Sequence, residues 1–139
     1  MGTCTQPAVD ESEGTMMIER TLPAGLDTPR AVRGLIERLR DSLGRIAYQH
    51  ARLLASEAAA NAVVHGAQGA EIRFVAELEN DRLRVEICNQ SGEQRPHIAD
   101  REPGEGGLGL QILDGLANSW GTEHNDHTLV WFELHPVSE

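Results

Sequence analysis

The chain has 139 residues, 40% hydrophobic and 24% charged, proportions that suit one compact domain with an enclosed core. Its net charge of −10 argues against duplex nucleic acid and anionic membrane as default partners, because both repel an acidic surface. All twelve basic residues are arginine, which excludes a P-loop lysine or a Schiff base and leaves arginine to bind phosphate.

Residues 1–14 are polar and mixed and read as a disordered N-terminal tail, with residues 15–139 as one domain. Thr15 to Leu22 reads as a first strand, ended by Pro23 and Gly25. Asp27 or Thr28 caps a helix with Pro29 in its first turn, which Gly44 closes. Its apolar positions are Ala31, Leu35, Ile36 and Leu39, with Arg33, Glu37, Arg38 and Arg40 facing water. A second helix runs from about Ile46 to His65, with Leu53, Leu54, Ala58 and Ala62 toward a sheet. Ala70 to Glu79 and Arg82 to Cys88 alternate in period two around Asn80-Asp81, the pattern of a hairpin.

Asn89 to Gly107 carries no periodicity and holds Gly92, Gly104, Gly106 and Gly107, so it reads as a long loop, either functional or disordered. Helix resumes from Leu108 to about Asn118. Ser119–Glu123 and Thr128–Leu134 form a last hairpin, whose turn makes His124-x-x-His127 turn residues rather than a metal pair. This order predicts an α+β fold: a two-layer α/β sandwich with a mixed, mostly antiparallel sheet, covered on one face by about three helices. Cys4 and Cys88 are expected to stay unpaired, as in a reduced cytoplasmic compartment. No signal peptide or membrane span is expected.

Two stretches carry the chemistry. In the second helix Glu57, Asn61 and His65 recur every fourth residue among alanines, so they form one polar line on a small apolar rod. Gly104-Glu105-Gly106-Gly107-Leu108-Gly109-Leu110 places glycines just before and inside a helix start. Unpaired N–H groups and the positive end of the dipole suit that start to an anion or phosphate. No strand leads directly into it and no βαβ unit follows, so it is not a dinucleotide fingerprint. Opposite a phosphate, Asn61 offers a carbonyl oxygen to Mg²⁺, and Glu57 a carboxylate that can take a proton from a hydroxyl or water.

Glu57-x-x-x-Asn61-Ala-x-x-His65-Gly66, then Val85 to Gly92, then Gly104 to Leu110, resemble the N, G1 and G2 boxes of the gyrase and histidine-kinase type (Bergerat-fold) ATPases. Within that superfamily the chain most resembles the single-domain anti-sigma factor serine kinases and related ATP-binding proteins. The resemblance spans about Thr15 to Leu134. It implies ATP and Mg²⁺ as cofactors, Glu57 as general base and Asn61 as magnesium ligand. It implies an ATP lid from Asn89 to Gly107, with Gly92 as a retained G1 glycine, and a phosphate-binding turn at Gly106, Gly107, Leu108 and Gly109. The implied activity is phosphorylation of a serine on a small anti-anti-sigma antagonist. The implied partners are that antagonist, a sigma factor and, often, a second copy of the kinase.

One position departs from the pattern. The aspartate that accepts a hydrogen bond from the adenine amino group is Asn89 here, and a neutral acceptor makes a bond about half as strong as a charged one. Two readings follow: an ATP-dependent serine kinase, or a non-catalytic module that binds a regulator with weakened or lost nucleotide binding.

Overall fold

The computed structural model describes residues 15–65, 70–90, 108–124 and 127–138. The 1–14 tail and most of the glycine-rich loop lie outside that set. The elements are β1 (Thr15–Pro23), α1 (Thr28–Glu37), α2 (Arg45–His65), β2 (Glu71–Glu79), β3 (Arg82–Gln90), α3 (Leu108–Leu116), β4 (Ser119–His124) and β5 (His127–Leu134). A 3₁₀ turn at Arg40–Ser42 joins α1 to α2. The strands form one five-stranded sheet in the order β1-β2-β3-β5-β4. Every ladder is antiparallel, so the expected two-layer sandwich has no parallel pair among the described residues.

The period-two pattern of the sequence becomes one dry face. Ile72, Phe74, Ala76 and Leu78 of β2 pair with Asn89, Ile87, Val85 and Leu83 of β3, which pair with Thr128, Val130, Phe132 and Leu134 of β5. All of these are buried. They form a single cluster with Val32 and Ile36 of α1, Leu54 and Ala58 of α2 and Leu113 of α3. Burying each large apolar side chain contributes about 1.5–3 kcal/mol, so this face is the main source of stability. Two positions of the face break the apolar pattern, Asn89 and Thr128, and they are register partners.

α2 is the helix at the centre of the layer, packed on α1, α3, β3 and β5. Ala51, Ala55, Ala58, Ala59 and Ala62 are at most 1% exposed. Side chains this small let neighbouring helix axes come close, so the alanines that favour helix also set the packing distance. Asn80 and Asp81 both have positive φ, 52° and 70°, as a two-residue hairpin turn of the twist-compatible type requires. Thr28 braces the β1–α1 loop: its hydroxyl donates to the Pro23 carbonyl and accepts from the Gly25 N–H.

Four expectations change. The first helix stops at Glu37 rather than near Gly44, and the chain tightens into the 3₁₀ turn. Its buried face is Thr28, Val32 and Ile36, with Ala31 exposed and Leu39 buried beyond the helix end. Leu53 is 41% exposed and does not face the sheet. Cys88 is buried on the sheet face away from the helices and is disulfide-bonded, against the expectation of an unpaired thiol.

On that same face Arg84 donates to Glu86 and Glu133 and lies 4.4 Å from the centre of the Trp131 ring. Burial works against the Arg84 charge, but the hydrogen bonds and charges of Glu86 and Glu133 outweigh it, so its pKa stands above the ordinary arginine value. Among the described residues no helix is long and apolar enough to cross a membrane.

Candidate functional site

The polar line of α2 does not stay on one side of the rod. Residues four apart on an α-helix are offset by about 40° per step, so such a row winds slowly round the axis. Gln49 is exposed, Leu53 is 41% exposed, Glu57 is half-buried and Asn61 is 7% exposed. The row therefore passes from solvent into the interior. Glu57 stands where it crosses the surface, and Asn61 where it meets the sheet.

Asn89 of β3 meets α2 one residue beyond Asn61. The Asn89 side-chain amide donates to the carbonyl of Ala62, the residue after Asn61, at 2.9 Å. This bond fastens β3 to the last turn of α2. Asn89 is 1% exposed and belongs to β3, not to the loop that was expected to begin there. Its register partner Thr128 is fully buried beside it. The spacing of the strands already carried that signal: Thr128 is the polar residue on an otherwise apolar period-two face of β5.

Two buried carbonyl oxygens, Asn61 Oδ1 and Asn89 Oδ1, have no hydrogen-bond partner among the described residues. An unpaired buried acceptor costs about 1–3 kcal/mol, so two at positions that the sequence singles out are what a ligand would relieve. Asn61 Oδ1 is a hard neutral oxygen of the kind that Mg²⁺ takes alongside water and phosphate. Asn89 Oδ1 can accept from an exocyclic amino group. The residues present thus fit both a nucleotide base and a magnesium ion. Among the described residues no group of three or more His, Cys, Asp or Glu could hold a metal by itself, so an ion here would depend on phosphate oxygens.

Glu57, one turn before Asn61 on α2, lines a groove of about 590 Å³ shared with α1 and the 3₁₀ turn. Its walls include Arg33, Arg40, Tyr48, Arg52 and Ser56. Arg33, expected to face water, is half-buried and donates to the Ser56 hydroxyl at 2.8 Å. The four-residue spacing Tyr48, Arg52, Ser56 beside Gln49, Leu53, Glu57 marks this wall in the sequence.

Leu108 and Gly109 are the first two residues of α3, so the glycine-rich stretch does run into a helix start. Gly92, Gly104, Gly106 and Gly107 lie outside the described residues, as does the side chain of His65. Asn89 is therefore fastened to α2 beside Asn61 in the chain, Glu57 lies one turn back along α2, and of the glycine-rich stretch the described residues include only the start of α3.

No curated protein matches the chain. Residues 22–133, most of the chain and every element from the end of β1 into β5, match the histidine kinase-like ATPase domain. The chain belongs to the family of histidine kinase-like ATPase domains, and ATP is the ligand that this family implies.

Proposed function

We propose that this domain is an ATP-dependent protein serine kinase of the anti-sigma type, acting on a small anti-anti-sigma protein and through it on a sigma factor. The observation that carries the reading is two buried oxygens without a partner among the described residues, Asn61 Oδ1 one turn beyond Glu57 on α2 and Asn89 Oδ1 on β3, which is bonded to α2 at Ala62. Asn89 Oδ1 accepts from the adenine amino group. Asn61 Oδ1 would be a ligand of magnesium, and the ion would spread the negative charge that builds on the transferring phosphoryl group. Gly92, Gly104, Gly106 and Gly107, with Leu108 and Gly109 at the start of α3, are assigned to the phosphates. Their backbone N–H groups and the helix dipole favour anions.

Glu57 is assigned the role of general base. It takes the proton from the serine hydroxyl as the oxygen attacks, and its place at the groove leaves it open to a protein substrate. The test is transfer of labelled γ-phosphate to candidate anti-anti-sigma proteins. Glu57→Ala should abolish transfer, by about 10²-fold or more, while nucleotide binding persists. Transfer that survives in this variant would remove Glu57 from the role.

A second reading has one observation in its favour. Asn89 uses its amide on Ala62 and lacks the charge of an aspartate, which suits a module that binds a regulator and holds nucleotide weakly. Under that reading partner binding would be unaffected by Glu57→Ala and no phosphate would move.

A further inference from the structure

We propose that the groove between α1 and α2 docks an acidic segment of a protein partner, which thereby brings its hydroxyl to Glu57. The proposal rests on the kinase reading for the role of Glu57, and on the groove itself for the partner's chemistry. Three guanidinium groups, Arg33, Arg40 and Arg52, line the groove, against the carboxylates of Glu57 in the lining and of Glu37 beside Arg52. This is a local excess of positive charge on a chain whose net charge is −10.

The arginines are held in place. Arg33 is tied to Ser56 at 2.8 Å, Arg40 lies over the Tyr48 ring at 5.6 Å, and Arg52 leans toward Glu37 at 3.6 Å. The exposed end of Arg52 carries its Nη donors, which are open to an acceptor entering the groove. Arginine forks match carboxylates in paired hydrogen bonds. Tyr48 and the exposed Leu53 add apolar surface for the stem of a bound segment.

Charge decides between an acidic peptide and a polyphosphate. The groove holds a few side chains, and the whole chain carries a net charge of −10. A segment with two or three carboxylates matches the groove's guanidinium groups, whereas a long polyanion would also meet the chain's overall negative charge.

The test uses fluorescence polarisation without nucleotide. The probes are a labelled twelve-residue peptide with one serine flanked by Asp and Glu, a matched peptide with Asn and Gln, and a single-stranded DNA twelve-mer. The acidic peptide should bind at least about tenfold more tightly than the amide peptide and weaken as salt rises. Arg40→Glu and Arg52→Glu should each cost it at least about tenfold, and Arg52→Gln less. Circular dichroism on each variant confirms the fold, and Arg33 is left intact because it bridges the helices. Equal binding of the two peptides, indifference to both reversals, or tighter binding of the DNA would overturn the proposal. With ATP and Mg²⁺ added, the two readings separate. A bound acidic peptide that gains no phosphate sinks the kinase reading and leaves the docking site. Equal phosphorylation of both peptides sinks the docking site and leaves the kinase.

Discussion

Asn89 and Ala62 are joined by a hydrogen bond in which the asparagine side chain donates to the helix carbonyl at 2.9 Å. An aspartate cannot make that bond while ionised. Asn89 is therefore more than a neutral copy of the residue that the family pattern expects. Its nitrogen holds the strand to the helix, and its oxygen is left buried and free to accept.

The first prediction follows from this geometry. Asn89→Asp sets a carboxylate against the Ala62 carbonyl and should destabilise the fold by about 1–3 kcal/mol at neutral pH. The folded state would raise the pKa of the new carboxyl, because only the protonated form can donate to Ala62. The deficit should therefore shrink as pH falls and the carboxyl binds its proton. Thermal unfolding of both proteins across the acid range checks the sign. A variant as stable as the parent at neutral pH would show that the bond is dispensable.

Asn61→Ala removes the proposed magnesium ligand. ATP affinity in excess Mg²⁺ should fall to about the level of the parent protein in EDTA, while the EDTA value of the variant barely moves. Parallel titrations with and without the ion read this directly. An undiminished magnesium effect in the variant would assign the ion to other ligands.

Two glycines should respond in opposite directions. A Cβ at Gly121 would sit 2.8 Å from the Trp131 indole nitrogen, so Gly121→Ala must push the ring that packs on Arg84. It should cost about 1–3 kcal/mol. A Cβ at Gly34 on α1 meets nothing within 4 Å, so Gly34→Ala should gain about 0.5–1 kcal/mol from helix propensity alone. Urea midpoints of the two variants should move to opposite sides of the parent.

Much of the fold was legible because single residues spoke for it. Period-two alternation placed the β2–β3 hairpin, and Asn80-Asp81 marked its turn with the two residues that take positive φ. Glu57 and Asn61 stood out as polar groups among alanines. The sequence did not show that their row winds from the groove to the core, because four-residue spacing suggests one face until burial is known. Arg33 looked solvated for a similar reason: its hydrogen bond to Ser56 spans 23 residues, which no local pattern reports. Asn89 was legible as a departure from a motif, but its bond to Ala62 depends on how β3 packs on α2.

The central claim is that the end of α2 and the adjoining strand β3 bind ATP with Mg²⁺. Isothermal titration calorimetry of the whole chain with ATP and excess Mg²⁺ tests it most directly. Saturable one-to-one binding is expected, weakened in Asn89→Ala and without magnesium dependence in Asn61→Ala. No heat at millimolar nucleotide, or identical binding in both variants, would contradict it.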